Sequence, residues 1–402
     1  MMTDNILNMP DVTQVQKTKT IVLNKQRETL PVYRVPLKYL YYNDNNDRIS
    51  TEVVRYMTET DEDIPTDRET YNRIFEDLIV KSKPDAIDKT QKSIATRGQD
   101  NPGVTLRDGR VVDGNRRFTC LRRIERSTNQ EQFFETIILD YDYNNNYKQI
   151  KAIELQLQMG IEEKVKYDPI DKLFGVYNAI REKKAFTVEE YASLFDDYSV
   201  SDVKKDLAMA DLMCEYLEFQ GSPGKYYIAK DMNLEGTLHE IPPILSKVSV
   251  LNPDLVDDVK NRIFACIATG VDSRLNLFMR NIKKIVEVGN LEQYIADTQH
   301  AVEGTIKALE DNPINEYNDL ADNIRTREDL VSDLVDPVKR QIRVIEADKL
   351  KKAPIKHSKD ALDSLSAIRD GDVSRMESED RIELGRTIQL IENRVNDLRS
   401  LL

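Results

Sequence analysis

One stretch constrains this chain more than any other: Arg110-Val111-Val112-Asp113-Gly114-Asn115-Arg116-Arg117-Phe118-Thr119-Cys120-Leu121-Arg122-Arg123-Ile124. A short β-branched run ends in Asp-Gly and passes at once into a helical pattern. Phe118, Leu121 and Ile124 fall three apart, on one helical face. A strand that turns on glycine into a helix leaves backbone N–H groups unpaired at the positive end of the helix dipole. Such a turn binds anions. Gly114 allows close backbone approach, and Arg116 and Arg117 can grip phosphate oxygens in a fork. The same residues also suit an ordinary turn with solvated arginines.

The chain's 402 residues suggest two or three domains. A net charge of −13 gives no global pull toward nucleic acid, so any DNA contact must be a local patch. Cys120, Cys214 and Cys266 are dispersed and odd in number. They fit neither a disulfide framework nor a zinc motif, and suggest a reducing cytoplasm. Three histidines leave little room for a histidine metal site. With no leader-like N-terminus and no long apolar run, the expectation is a soluble cytoplasmic protein without membrane contact.

Residues 1–20 read as a flexible arm. Strands are expected at 20–23 and 33–35 around a turn at Asn24-Lys25-Gln26-Arg27, then a polar loop from Asn43 to Arg48. Residues 49–97 read as helical, with Ile74, Leu78 and Ile79 inward, a break at Pro84 and a stop at Gly98. A hairpin with a two-residue turn at Asp108-Gly109 leads into the opening motif, and a further strand is expected at 136–139.

The order Asn43…Arg48, then Gly98-x-x-x-Pro102, then Asp113-Gly114-Asn115-Arg116-Arg117 resembles the N-terminal domain of the ParB partition proteins, a fold shared with sulfiredoxin. The resemblance covers about 31–215 and implies an α+β nucleotide-binding domain. It makes Arg48, Gly98, Gly114, Asn115, Arg116 and Arg117 contacts of a nucleoside triphosphate, CTP or ATP, with Mg2+. The chain departs from the pattern in two places. Asn115 stands where ParB has glutamate and sulfiredoxin its cysteine, which makes Cys120 a small core residue. The family's Glu-Asn pair is also missing from Ile153-Glu154-Leu155-Gln156-Leu157-Gln158. The patch Asp140-Tyr141-Asp142-Tyr143-Asn144-Asn145-Asn146-Tyr147 reads as an exposed loop.

Asp168-Pro169 opens a helix with Ile170, Phe174, Tyr177 and Ile180 on one face. Thr187 and Glu190 form a capping box on a short helix, and Ser199-Val200-Ser201 opens another. This is the helix-turn-helix layout, placed where ParB has its own. Ser199, Ser201, Lys204 and Lys205 would face DNA. Against this, residues 169–219 hold six Lys/Arg and eleven Asp/Glu. Gly221-Ser222-Pro223-Gly224 is a boundary, and Arg274, Arg280, Lys283 and Lys284 form a basic cluster beyond it.

The last hundred residues read as helical and charge-balanced. Leu384, Ile388, Ile391, Val395, Leu398 and Leu402 make a heptad seam, suited to a homodimer. The stripe Leu334, Val338, Ile342 and Ile345 could instead pack on it antiparallel across Pro354. The expected fold is an α+β ParB/sulfiredoxin-like domain followed by all-α regions. Its divisions are 1–20, 21–160, 161–220, 225–320 and 321–402. Three functions stay open: a nucleotide-regulated DNA-binding homodimer, a nuclease or NTP hydrolase, and a non-catalytic adaptor for a protein partner.

Overall fold

The computed structural model describes residues 5–23, 26–159, 168–288 and 290–402. The chain begins as mixed α and β, in the order β1 (Thr13–Leu23), β2 (Gln26–Pro36), β3 (Tyr41–Tyr42), α1 (Asp47–Thr60), α2 (Arg68–Ser82), α3 (Pro84–Arg97), β4 (Gly103–Leu106), β5 (Arg110–Asp113), α4 (Asn115–Thr128), β6 (Phe133–Leu139) and α5 (Tyr147–Met159). The sheet order is β1-β2-β6-β4-β5-β3. β4 pairs parallel to β6 and β3 parallel to β5; the other pairs are antiparallel.

Strand alternation sends neighbouring residues to opposite faces. Val111 therefore joins Phe118, Tyr42, Phe75 and Phe134 on the side covered by α1–α4. Val112 joins Val104, Ile137 and Ile153 on the side covered by α5. Phe118 and Phe134 are fully buried, each contributing about 2–3 kcal/mol of apolar transfer. Pro84 ends α2 and opens α3 at its first position, where its missing N–H costs nothing.

Helices follow: α6 (Pro169–Tyr177, continued by a π-turn at Asn178–Glu182), α7 (Val188–Ala192), α8 (Val200–Phe219), α9 (Tyr226–Asp231), α10 (Glu235–Leu251), α11 (Val256–Thr269), α12 (Leu275–Val288), α13 (Leu291–Asp311), α14 (Tyr317–Asp319), α15 (Glu328–Ser366), α16 (Asp370–Arg375) and α17 (Ser378–Arg399). The α+β then all-α expectation matches this order. Thr187–Glu190 and Ser199–Asp202 both form capping boxes. The chain divides into two compact units, Met1–Val338 and Lys339–Leu402.

Three expectations need correction. Residues 13–20 are not an arm. They lie in β1, which pairs with β2 from Thr13↔Arg34 to Leu23↔Gln26. Backbone pairing along a polar edge strand supplies order that apolar periodicity could not signal. The β4–β5 connection spans residues 107–109, with Gly109 N–H donating to Leu106 O at 3.0 Å. Pro354 does not reverse the chain, because α15 runs through it. Leu334 and Val338 are buried in the first unit while Ile342 and Ile345 belong to the second, so the expected stripe is divided. Within the charge-balanced last hundred residues, positive charge concentrates in residues 339–359, with eight Lys/Arg against two Asp/Glu. Asn24 and Lys25 of the expected turn, and the expected boundary at 160–161, lie outside the described residues.

Candidate phosphate site

Gly114 stands at φ 101°, ψ 18° and caps α4 without a side chain. A Cβ there would lie 2.8 Å from Phe134 Cζ, so only glycine lets the strand end turn into the helix over this aromatic core. The first α4 backbone bond within the helix runs from Phe118 N–H to Gly114 O at 2.9 Å. The N–H groups of residues 115–117 therefore have no partner inside the helix and stand at its positive end.

The turn opens on a cavity of about 450 Å3. The start of α1 lines it with Asn46 and Arg48, α3 with Lys89, Thr90 and Ser93, and the turn after α3 with Gly98 and Asn101. The end of β5 and the start of α4 contribute Asp113, Gly114, Asn115, Arg116 and Arg117. Gly98 holds φ 76° and carries the chain from α3 to β4. All six residues expected at the phosphate site thus line one space, though 50 residues separate Arg48 from Gly98.

The two arginines of the turn have different surroundings. Arg117 is a brace: Nη2 donates to Asp113 Oδ2 at 3.0 Å, and Nη1 donates to Asn101 O and, at 3.5 Å, to Pro102 O. Lys19 joins it from β1, donating to Pro102 O at 2.6 Å and Asp113 Oδ2 at 3.3 Å. Asp113 is therefore occupied by two cations. Among the described residues no group of three His, Cys, Asp or Glu could hold a metal. Arg116 is pushed below the usual guanidinium range by burial and then by Arg48. Lys83, at the α2–α3 junction, is lowered by burial and then by Arg48 and Arg116. Three cations thus repel one another beside the N-termini of α1, α3 and α4, an arrangement that an anion relieves.

Lys83, Lys89 and Lys19 escaped the sequence reading. Lys83 carried a visible signal, a cation directly before the proline that opens α3, whereas Lys19 is placed only by sheet order. Cys120 is buried, as expected of a core residue, and burial pushes its thiol up to about 11. Glu154 on α5 is buried and accepts from Asn43 and Lys151, each at 3.4 Å. Arg110 fixes the loop before α1, lying 4.0 Å over the Tyr143 ring and donating to Asn43 Oδ1 at 3.3 Å.

No family model matches the chain, and no curated protein matches it. The chain is similar to solved ParB structures. One is a Pnob8-like ParB-N domain, at 13% identity over 71% of this chain and 99% of that one, with a TM-score of 0.35. Another is the C-terminally truncated chromosome-partitioning protein ParB from Caulobacter crescentus, complexed with CTP-gamma-S. It has 10% identity over 62% of this chain and 98% of that one, with a TM-score of 0.20.

The residues expected to face DNA lie elsewhere. Ser199, Ser201, Lys204 and Lys205 are exposed on the first turns of α8. Ser199 Oγ donates to Asp202 Oδ2 at 2.6 Å and Lys205 Nζ lies 3.4 Å from Asp202 Oδ1, so two of the four are engaged by one local carboxylate.

Proposed function

We propose that this chain is a ParB-like protein that binds a nucleoside triphosphate, its phosphates held at the 114–117 turn. The observation that carries this reading is the meeting of Arg48, Arg116 and the α4 N-terminus on one cavity, with like charges facing each other. Arg116 and Arg48 grip phosphate oxygens, the backbone N–H groups of residues 115–117 donate to the remaining phosphate oxygens, and Arg117 keeps the Gly98 turn in register. Mg2+ arrives on the phosphates, because Asp113 is already engaged by Lys19 and Arg117. That engagement argues against a metal-dependent nuclease built on Asp113.

In this reading α7 and α8 are the helix-turn-helix, with Ser199, Ser201, Lys204 and Lys205 toward DNA, and residues 21–160 and 161–220 are separate functional domains. The exposed heptad residues Ile388, Val395 and Leu398 on α17 serve a homodimer, where a second copy covers them. One observation favours an adaptor without DNA contact: the pairing of Ser199 and Lys205 with Asp202 on an acidic module.

Calorimetric titration of CTP and ATP with magnesium tests the reading in wild type and Arg116→Ala. Binding by the wild type that is lost in the variant supports it. No binding of either triphosphate by the wild type overturns it and leaves the adaptor.

A further inference from the structure

β1 is an outer strand of the sheet, paired with β2 alone among the described residues. The other outer strand, β3, has only two residues, both buried. From Thr18 to Leu23 the register with β2 is unbroken, Thr18 facing Pro31 and Leu23 facing Gln26. Proline has no N–H, so Thr18 and Pro31 cannot exchange a pair of hydrogen bonds. Pairs alternate along an antiparallel ladder, which makes Lys19–Leu30, Ile21–Glu28 and Leu23–Gln26 the bonded ones. The N–H and C=O groups of Thr18, Thr20 and Val22 therefore point away from β2, along the outer edge. All three residues are exposed. Sheets usually blunt such an edge with a bulge, a proline or outward lysines. Here the irregularity in register lies before Thr18. Lys19 is turned onto Pro102 O at 2.6 Å and Asp113 at 3.3 Å, and Lys17 is tied to Glu135 at 2.7 Å.

We infer that the outer edge of β1 pairs antiparallel with β1 of a second copy of this chain. The strand is self-complementary in one register, centred on Thr20. There Thr20 faces Thr20 of the second copy, and Thr18 faces its Val22. All three edge residues then fall in hydrogen-bonded pairs, each exchanging its N–H and C=O with the other strand. On the opposite face Lys19 meets Ile21 and Lys17 meets Leu23, so no like charges oppose each other. Moving the centre by one residue spoils this: Val22 then faces Gln16 in the irregular stretch, or Thr18 faces a position beyond the end of β1. Thr20 already contacts a threonine on its inner side, Thr29 at 2.8 Å, and the same pairing recurs across the twofold axis. Nucleic acid fits this edge less well, because carboxylates already engage both Lys17 and Lys19. The paired stretch is short, so the contact is weak and concentration-dependent.

The inference rests neither on the nucleotide pocket nor on the α17 seam: loss of either would leave it standing. The test is disulfide trapping of the full chain under mild oxidation, comparing Thr20→Cys with Gln16→Cys. Both positions are exposed. In the inferred register the two copies of residue 20 lie at the Cα spacing of a bonded pair, about 5.5 Å, within disulfide reach. The two copies of residue 16 stand about 27 Å apart, at 3.4 Å per residue. Wild type reports any background from Cys120, Cys214 and Cys266. Thr20→Cys should yield a cross-linked dimer that rises with protein concentration, at least about tenfold above Gln16→Cys and wild type. Adding Val22→Pro removes one outward N–H and leaves the β2 ladder intact, so it should abolish the cross-link. Circular dichroism checks that the sheet survives. Any of three results overturns the inference: no cross-link in Thr20→Cys, equal cross-linking of Thr20→Cys and Gln16→Cys, or a cross-link that persists in folded T20C/V22P.

Discussion

The Lys151 ammonium and the Asp47 carboxylate lie 2.8 Å apart, and each side chain is only 1% exposed. Lys151 also donates to Asn45 O at 3.0 Å and sits 3.4 Å from Glu154. Burial alone would lower this lysine, but Asp47 and Glu154 outweigh it and hold it charged. Asp47 is the first residue of α1, between Asn46 and Arg48 of the phosphate cavity. The pair therefore fixes the end of the helix that presents Arg48.

Removing one partner of such a pair strands the others in a poorly solvated site. Lys151→Met is expected to destabilise the protein by about 3–5 kcal/mol, read from denaturant unfolding. A loss below about 1 kcal/mol would mean that Asp47 and Glu154 do not depend on this ammonium.

Arg116 and Arg117 should separate affinity from stability. Arg116→Gln removes a cation repelled by Arg48 and Lys83, so it should lower the melting temperature less than Arg117→Gln does while triphosphate affinity falls by at least tenfold. Arg117→Gln breaks the bonds to Asp113 and the 101–102 carbonyls, so stability should fall by about 1–3 kcal/mol together with affinity. Equal melting temperatures for the two variants would contradict these roles.

Gly114→Ala and Gly98→Ala differ in what a methyl group meets. At Gly114 it meets Phe134 and Arg117 at 2.8 and 3.0 Å, whereas at Gly98 nothing lies within 4 Å. Both positions carry positive φ. Gly98→Ala is expected to cost about 1 kcal/mol for backbone strain, and Gly114→Ala about 2 kcal/mol more for the collision. Chemical denaturation of both variants ranks them, and the reverse order would refute the packing described at Phe134.

Asp171 on α6 accepts from Thr51 Oγ1 at 2.7 Å and from Lys230 Nζ at 3.0 Å. Burial raises its carboxyl from 3.8 to about 6 despite Lys230. The folded form then holds the proton more tightly than the unfolded chain. This group's contribution is greatest below the ordinary value and is lost as pH rises through the folded one. Stability of the wild type relative to Asp171→Asn should therefore decline between pH 4 and 6, by on the order of 2–3 kcal/mol. Parallel stability–pH curves for the two proteins would refute the shift.

What the sequence alone determined was local. The Gly114 turn, the caps at Thr187 and Ser199, the proline-led start of α6 and the heptad on α17 follow from residues within one or two turns of each other. Backbone conformation and capping depend on neighbours in the chain, so pattern exposes them. The cavity's separate pieces were legible for the same reason, because each sits at the end of its own element. Tertiary structure alone decided their meaning. It turned Arg117 inward as a brace, brought Lys19 to Asp113, set Lys83 against Arg48 and Arg116, and buried Lys151 beside Asp47. These partners are tens of residues apart, and their charge states depend on burial. Burial is a property of the packed elements, and no spacing along the chain records it.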